Sequence, residues 1–301
     1  MPELPDITIY VEALDRRLRA ARLDRVRLNS PFLLRTADPA IALAGGRRVL
    51  SVSRLGKRVV IGLEDDYWLV LHLMIAGRLH WFEPDRKVPA KAPLALFEFD
   101  TGTLTLTEAG TKRRAALHFL HGKAALATHH RPGLEPLEAT RDEFAGALRR
   151  ENHTLKRALT DPRLISGIGN AYSDEILHAA RLSPVALTSR ISDGDVARLH
   201  AAVRATLAGW TTRLRELAGD AFPEHVTAFR EDMAVHGRYG KPCPACKTAV
   251  QRIRYASNET NYCPRCQTDG RILADRSLSR LLKDDWPTTI DELEREALEQ
   301  R

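Results

Sequence analysis

The sequence predicts an α+β fold: an N-terminal helix and a β-sandwich, then a helical helix-two-turns-helix domain and a C-terminal four-cysteine zinc hairpin. Three observations support this prediction. One helical pattern and a run of short apolar strands occupy residues 1 to about 128. Helical patterns replace the strands after about residue 141. The chain has four cysteines, and all of them fall near its end in a paired spacing.

The first element is a helix over residues 5–21. Pro5 is tolerated in the first helical turn, and the carboxylate of Asp6 is favourable at the positive end of the helix dipole. Apolar side chains then recur at helical spacing, which predicts a buried face. The residues on that face are Ile7, Val11, Leu14 and Leu18.

Strand-like stretches follow the helix and are separated by turn residues such as Gly56 and the segment from Asp100 to Gly102. With the helix, they predict a domain over residues 1–128 built on a β-sandwich or barrel. The segment 129–138 contains Pro, Gly and Pro without periodicity, so it is predicted to be a linker. The stretches are "RRVLSVSRL", "KRVVIGLED", "YWLVLHLM", "RLHWFE", "LALFEFD" and "TLTLTE".

The second half of the chain predicts helices rather than strands. A helical domain is expected at 139–232, a zinc hairpin at 233–267 and an extension without an assigned role at 268–301. Within the extension, "SLSRLLKDDWP" and "IDELEREALEQR" have helical character. The helical patterns of the domain cover about 141–160, 171–181 and 193–216, with a weaker one at 223–231.

Charge is distributed unevenly along the chain. The formal net charge is +7, and residues 268–301 contain nine acidic and six basic residues, so residues 1–267 carry +10. A basic body predicts a polyanionic partner. No run approaches the roughly 18 apolar residues of a membrane span. The start of the chain has early acids and no unbroken apolar core, so we expect a cytoplasmic protein without a membrane partner.

The four cysteines have the spacing C-x2-C-x16-C-x2-C. Each C-x2-C pair lies within one short turn, and the residues between the pairs suffice for a hairpin. Two disulfides are the alternative, but the cytosol is reducing and disulfides are rare there. We therefore expect one Zn²⁺, and a structural one, because four thiolates leave no open position for water. The predicted ligands are Cys243, Cys246, Cys263 and Cys266.

A glycine-rich turn connects two predicted helices in "TDPRLISGIGNAYSDEIL", residues 160–177. Gly167 and Gly169 permit a tight turn, and Asn170 lies at the start of the next helix. Free N–H groups at a helix start form an anion site, to which Lys156 on the preceding helix would add charge. The alternative is an ordinary helix corner with Asn170 as its N-cap.

Three motifs in this order resemble the formamidopyrimidine-DNA glycosylase/endonuclease VIII family: "PELPD", "SGIGNAYSDEIL" and "CPAC…YCPRCQ". The resemblance covers residues 1 to about 267. It implies a base excision repair enzyme that acts as a DNA glycosylase and abasic-site lyase. The implied partner is double-stranded DNA containing damaged bases or abasic sites, and family members act as monomers.

The resemblance also implies a catalytic group at the start of the chain. Removal of the initiator methionine would expose the secondary amine of Pro2, and an α-amino group has a pKa of about 7.7–8.0, so a useful fraction is neutral. Attack on the sugar C1′ would form an iminium that permits β-elimination. Glu3 would be the acid/base partner. Lys57 matches the family's hairpin lysine, although most turn lysines are simply solvated.

Further residues match family positions that hold or fill the DNA. His72 matches a phosphate-binding histidine, although a single histidine on an apolar strand is more often a packed residue. The family sequence "HLGMSG" supplies a methionine that fills the gap left by the flipped nucleotide. This chain has "HLMIAG", so Met74 or Ile75 takes that part. Arg113 or Arg114 would accompany it, with no phenylalanine directly after.

Two departures bear on the reaction. The family commonly has an arginine five residues before the third cysteine, and this chain has Asn258, which brings no charge. We therefore expect β-elimination with weak δ-elimination. The segment 218–242 is shorter than the one that caps the base in the guanine-lesion branch, which leaves oxidised purines, oxidised pyrimidines and abasic sites open as substrates.

Two other functions compete with the enzyme. A non-catalytic or lyase-only protein that binds damaged DNA on the same scaffold would fit Asn258 and the altered "HLMIAG" stretch. A zinc-ribbon protein that binds RNA or the ribosome would explain the charge and the cysteines, but not "MPELPD".

Overall fold

The structure is a computed structural model that describes residues 1–89, 93–109, 112–224, 226, 230–255, 258–274 and 287–299. Its contacts divide the chain into two compact units. Unit 1 comprises residues 1–131 and 209–228, and unit 2 comprises residues 132–208 and 229–301. The helical pattern predicted in "SLSRLLKDDWP", residues 277–287, lies almost wholly outside the described residues, and the one predicted at 223–231 lies partly outside them.

Unit 1 begins with helix α1, Leu4–Leu18. Glu3 is its N-cap and forms a capping box with Asp6, whose carboxylate accepts the Glu3 N–H at 2.9 Å. This reciprocal cap satisfies backbone donors that a helix start otherwise leaves without partners. The predicted apolar face is buried at Ile7, Leu14 and Leu18, and α1 packs on two strands of the sheet.

Eight antiparallel strands form the sheet of unit 1, in the order β5-β7-β6-β1-β2-β3-β4-β8. A short helix, α2 (Lys123–Thr128), packs on its last strand. The strands are β1 (Arg22–Leu28), β2 (Arg47–Leu55), β3 (Arg58–Leu63), β4 (Tyr67–His72), β5 (Gly77–Phe82), β6 (Ala95–Phe99), β7 (Gly102–Glu108) and β8 (Ala116–His121).

The sheet folds into two layers around one core. The β1–β2 ladder has two residue pairs, Arg22 with Arg48 and Leu23 with Arg47, so the two halves of the sheet are joined over a short length. Inward side chains of both halves belong to the same buried cluster, for example Phe97 of β6 and Ile61 of β3. Because both inner faces bury one core, this is the predicted sandwich.

Two strands were not anticipated from the sequence. In β1, "RLDRVRL", charged residues outnumber apolar ones, and the strand is mostly exposed or half-buried. Strand β8 lies inside the stretch that the sequence assigns to a gap-filling loop, which leaves Arg113 and Arg114 just before the strand. In β1 the charged residues obscure the period-two signal. In β8, Leu117 and Phe119 do alternate with His118, and the strand was missed because the resemblance assigned this stretch to a loop.

Unit 2 contains helices α3 (Arg141–Arg149), α4 (Leu155–Thr160) and α5 (Asn170–Ala179), and the first part of α6 (Asp193–Ala218). The single pattern at 141–160 is therefore two helices. Thr154 begins the second one by accepting the N–H of Arg157 with its side chain. Within the predicted linker, Leu134 forms a bridge with Ile165.

The C-terminal part of unit 2 is a hairpin of β9 (Gln251–Tyr255) and β10 (Asn258–Tyr262), followed by a short helix α7 (Pro264–Gln267). The end of the chain forms α8 (Ile290–Glu299), and Ile290 N–H donates to the Gly270 carbonyl at 2.8 Å. Among the helices of the described ranges, none has the length and apolar character of a membrane span.

Candidate active site and metal centre

The start of α1 places Pro2 and Glu3 in the interior of unit 1. Both are buried, and Glu3 is 2% exposed. The capping box holds the Glu3 main chain and side chain to the first turn of the helix. Chain ends are usually mobile, so an anchored and buried terminus indicates a role that needs a defined position.

Lys57 shares this environment. It lies in the turn between β2 and β3, where Gly56 has a φ of 61°. Burial lowers the pKa of the Lys57 ammonium, and the Glu3 carboxylate opposes that shift. The two residues are 54 positions apart in sequence, and the tertiary structure brings them within electrostatic range.

The pKa of the Met1 amino group shows which charges act at the same site. Burial lowers its pKa, Glu3 and Asp6 raise it, and the cations Arg78 and Lys57 lower it further. Arg78 was not identified from the sequence. Its guanidinium donates to the Ile75 carbonyl at 3.2 Å and to the Gly77 carbonyl at 2.7 Å. The sequence feature that could have identified Arg78 is its position directly after the glycine of "HLMIAG".

The loop 73–77 distinguishes the two candidates for filling the DNA stack. Met74 is half-buried and has a φ of 52°, a left-handed conformation that favours glycine. Ile75 is 58% exposed at the loop tip. A side chain on Gly77 would meet the Leu73 carbonyl oxygen at 2.3 Å, so only glycine closes this loop.

The second predicted stack-filling element lies before β8. Arg113 and Arg114 are both exposed. The main-chain N–H groups of Arg114 and Ala115 donate to the Glu108 carboxylate, at 2.9 Å and 3.0 Å for their shorter bonds. The carboxylate therefore shapes the turn and leaves both arginine side chains on the surface.

His72 ends β4 and is half-buried. Burial lowers its pKa to about 4, and the neighbouring bases Arg58, Lys57 and His118 act in the same direction. The imidazole is therefore neutral at neutral pH and can donate a hydrogen bond from one ring nitrogen.

In unit 2, the glycine-rich turn places Asn170 at the first residue of α5, and Gly169 is the N-cap. The N-cap alternative for Asn170 is therefore wrong, because its backbone is already helical. Its side-chain amide instead donates to the Glu259 carbonyl of β10 at 2.8 Å. Asn170 thereby ties the helix start to the hairpin.

Lys156 is held in a buried ion pair. Its ammonium donates to Asp174 at 2.5 Å and to the Asn170 carbonyl at 2.7 Å, and its side chain is 13% exposed. Asp174 is fully buried and also bonds His236 at 2.7 Å. Two of the three Lys156 donors therefore have partners inside the protein, which corrects the picture of a lysine wholly available to a phosphate.

The neighbouring Glu175 anchors the segment before the hairpin. Its carboxylate accepts the main-chain N–H groups of Ala234, Val235 and His236 at 2.7–2.9 Å. Burial raises the pKa of Glu175, and these three hydrogen bonds lower it. Asp174 and Glu175 thus position Lys156 and the segment 234–236 that precedes the cysteines. Their place in a helical sequence pattern did not indicate this role.

Asn258 begins β10 and is exposed, opposite Tyr255 in the ladder. Nearby positive charge comes from β9, where Arg252 pairs with Glu259 at 3.3 Å and lies over the Tyr239 ring at 4.1 Å. The hairpin therefore presents a polar amide at 258 with arginine charge on the adjacent strand.

The four cysteines form a metal centre. Their sulfur atoms all lie within 4.8 Å of one another, with Cys246 and Cys263 at 3.3 Å and Cys243 and Cys266 at 4.0 Å. Tetrahedral zinc with Zn–S bonds of about 2.3 Å requires sulfurs about 3.8 Å apart. The cysteines thus bind one structural zinc ion.

A histidine that the sequence did not single out contacts this centre. His178 of α5 lies with Nε2 3.2 Å from the Cys243 sulfur. Such a contact from outside the ligand set orients a thiolate and stabilises its charge. It also joins α5 to the zinc module.

Comparison with known proteins agrees with this arrangement. Family models match residues 1–117 (formamidopyrimidine-DNA glycosylase N-terminal domain), 133–211 (its H2TH domain) and 240–268 (a zinc finger found in FPG and IleRS). A formamidopyrimidine-DNA glycosylase of Variovorax paradoxus is 34% identical, and the match covers 89% of this chain and 100% of that protein.

Solved structures show the same fold. The MutM (Fpg) protein of Thermus thermophilus matches with a TM-score of 0.72 and 30% identity, over 88% of this chain and 98% of that one. Fpg of Lactococcus lactis in complex with DNA containing an abasic site matches with a TM-score of 0.78 and 22% identity, over 88% and 99% of the two chains.

Proposed function

The chain belongs to the formamidopyrimidine-DNA glycosylase family, and on this premise we propose that it removes oxidised bases from double-stranded DNA and cleaves the resulting abasic site by β-elimination. Enzymes of this family are bifunctional DNA glycosylases and abasic-site lyases. The observation that supports the proposal most directly is the burial of Pro2 and Glu3 at the start of α1, with the half-buried Lys57 within electrostatic range of Glu3.

Pro2 is the proposed nucleophile. In the structure Met1 acylates its nitrogen, so removal of Met1 is the step that creates a secondary amine. The amine attacks C1′, the bond from C1′ to the base breaks, and the departing base takes a proton. The bound nitrogen loses its proton, the C1′–O4′ bond opens as O4′ takes a proton, and the iminium forms. The iminium then acidifies the C2′ hydrogens, and loss of one expels the 3′ phosphate as the leaving group. Water finally releases Pro2.

The surroundings favour the neutral amine that this attack requires. The amino group that the structure places here is that of Met1. Burial lowers its pKa, Glu3 and Asp6 oppose that shift without reversing it, and Arg78 and Lys57 add to it. We expect burial to act in the same direction on the Pro2 amine. Glu3 is the proposed acid/base group, because its buried carboxylate sits at the same helix start. Lys57 is proposed to bind phosphate and to assist elimination, with an ammonium whose pKa burial lowers.

The other residues predicted from the sequence are proposed to contact the DNA. His72 in unit 1 and Asn170, Lys156 and Asn258 in unit 2 are proposed to contact backbone phosphates. Ile75 is the proposed stack-filling residue rather than Met74, because Ile75 is exposed at the loop tip while Met74 occupies the glycine-like position. Arg113 and Arg114 are its proposed companions.

The segment that follows α6 bears on the choice of substrate. Within unit 1, Arg17 donates to the Asp220 carbonyl at 2.9 Å, Phe222 packs on Tyr10 with ring centroids 5.6 Å apart, and His80 bonds Glu224. These contacts hold residues 220–224 on α1 and β5. We propose that this segment leaves the base pocket open to small oxidised bases as well as to abasic sites.

Borohydride trapping tests the function. Methionine-free protein incubated with abasic duplex DNA is expected to form a covalent adduct, because borohydride reduces the iminium to a stable amine. Protein that keeps Met1 is the matched control, and it should give no adduct on Pro2, because the Pro2 nitrogen is an amide there. Mass spectrometry of the digested adduct should place the DNA on Pro2.

The opposite result would favour the competing function. Tight binding of abasic DNA by methionine-free protein without any adduct would mean that the scaffold binds damage without turnover. A panel of duplexes, each with one oxidised purine or pyrimidine, then reports the preferred lesion.

The products of elimination give a second prediction. Because Asn258 carries no charge, wild-type protein should end cleaved strands mainly in the unsaturated aldehyde of β-elimination. Asn258→Arg should increase the fraction ending in 3′ phosphate, since a guanidinium stabilises the second departing phosphate. Gel electrophoresis separates the two ends. A wild-type product that is mainly 3′ phosphate would contradict this role of position 258.

A further inference from the structure

A cluster of basic side chains lies on the outer face of β3, β4 and β8. Arg58 is directly opposite His72 in the β3–β4 ladder, and His118 is opposite Val70 in the β4–β8 ladder. Because alternate residues of a strand share a face, Arg58, His72 and His118 lie on the same side of the sheet.

Helix α2 completes the cluster by delivering His129. The helix packs on β8 and ends just before this residue. The Arg58 guanidinium donates to the His129 carbonyl at 2.6 Å, and the rings of His118 and His129 meet edge to face with centroids 4.4 Å apart. Arg58, His118 and His129 are therefore held together by direct contacts.

The cluster contains positive charge without an acidic partner. In the described part of the chain, the titratable groups that act on the pKa values of Arg58, His118 and His129 are all basic: they are members of the cluster itself, Arg35 and Arg131. Burial and these cations lower the pKa of His118 to about 4 and lower the pKa of Arg58 and of His129.

Other arginines of unit 1 behave differently. Arg25 pairs with Glu98, and Arg215 pairs with Glu12 at 2.8 Å. Such exposed pairs are the usual state of a surface arginine. A group of half-buried bases that lowers the pKa of its own members is electrostatically unfavourable, and an anion would relieve that cost.

The chemistry excludes a metal ion and favours an anion. The described groups of residues arranged for metal binding consist of the four cysteines, and the guanidinium of Arg58 would repel a cation. Arg58 uses one of its five N–H donors on His129. Arginine and imidazole N–H groups together form a recognised set of phosphate donors.

We propose that Arg58, His118 and His129 bind a backbone phosphate of the DNA, distinct from the phosphate assigned to Lys57 and His72. The ligand identity rests on the proposed function, because DNA supplies a continuous row of phosphates. Since Arg58 is the cross-strand neighbour of His72, the two sites lie side by side on the sheet.

Salt dependence of DNA binding tests this site. Fluorescence anisotropy with a labelled duplex between about 50 and 200 mM salt gives the slope of log K against log salt. Arg58→Gln should reduce the magnitude of that slope by about 0.9, the value of one phosphate contact. His118→Gln, which keeps the arginine, should weaken binding about threefold to tenfold, the contribution of one hydrogen bond.

Matched controls come from the same unit. His121→Gln changes an exposed histidine of β8 that stacks on Tyr67, and Arg22→Gln changes an exposed arginine paired with Asp24. Both should bind DNA as the wild type does. Thermal unfolding of each variant confirms that the fold is intact. The losses should be equal on undamaged and abasic duplexes, because a phosphate contact carries no base information.

Two outcomes would overturn the proposal. One is a wild-type slope and affinity for both Arg58→Gln and His118→Gln in folded protein. The other is that inorganic phosphate, added at constant ionic strength, shifts the His118 ring signal while the DNA slope is unchanged by Arg58→Gln. Trapping of abasic DNA remains a separate readout, so failure of the Pro2 chemistry and failure of this phosphate site are distinguishable.

Discussion

Glu3→Gln is expected to reduce base excision by about 10²–10⁴-fold, the usual contribution of a positioned acid/base group. Glutamine has nearly the same shape and its amide oxygen can still accept the Asp6 N–H, so the capping box at the start of α1 is retained. The glutamine amide cannot deliver or accept the proton. Single-turnover kinetics on a duplex with one oxidised base measures the loss, and thermal unfolding confirms the fold.

Glu12→Gln is the matched control on the same helix. Glu12 faces outward and pairs with Arg215 at 2.8 Å and 2.9 Å, so its loss removes a surface ion pair. Excision should remain within a few fold of the wild type. If Glu3→Gln also retained wild-type excision, the acid/base role of Glu3 would be wrong, and Lys57 would be the next group to examine.

Cys263→Ser is expected to abolish zinc binding and to unfold the hairpin. The apolar cluster around the metal consists of Val235, Val250 and the cysteines themselves, so little hydrophobic burial remains without the ion. Structural zinc contributes about 10–16 kcal/mol in zinc-finger peptides. Loss of the hairpin also removes the Glu259 carbonyl that holds Asn170. DNA affinity should therefore fall along with the zinc content.

Zinc stoichiometry by mass spectrometry and DNA affinity by anisotropy measure this effect. Lys247→Gly is the control in the same turn, since Lys247 has a φ of 68° that glycine adopts without strain. That variant should retain one zinc per chain. A Cys263→Ser protein that kept its zinc and its affinity would contradict the structural role of the site.

Much of the fold could be predicted from the sequence, because apolar residues recur regularly where one face of a helix or strand is buried. The apolar spacing of α1 and the apolar strands β2 to β7 follow this rule. The spacing of the cysteine pairs was sufficient to predict the metal site. In β1 the charged residues hide the pattern, and the stretch that contains most of β8 was assigned to a gap-filling loop because of the family resemblance. The break between α3 and α4 at Thr154 was not predicted either, because the apolar spacing of two successive helices resembles that of one long helix.

The residues of the candidate site were also predicted only in part. The motifs identified Pro2, Glu3, Asn170 and the zinc ligands as candidates, because each belongs to a short stretch of sequence. Their partners are distant in the chain: Lys57 near Glu3, Asp174 bonded to Lys156, and His178 against Cys243.

The sequence by itself determined the family, the zinc ligands and the succession of a helix-and-strand part, a helical part and a cysteine hairpin, because these depend on residue type and short spacing. Only the tertiary structure decided that Lys156 is paired with Asp174, that Ile75 rather than Met74 is exposed, and that Arg58 joins two histidines without an acid. Burial and charge at a residue are set by groups far away in sequence, and no local pattern records which groups those will be.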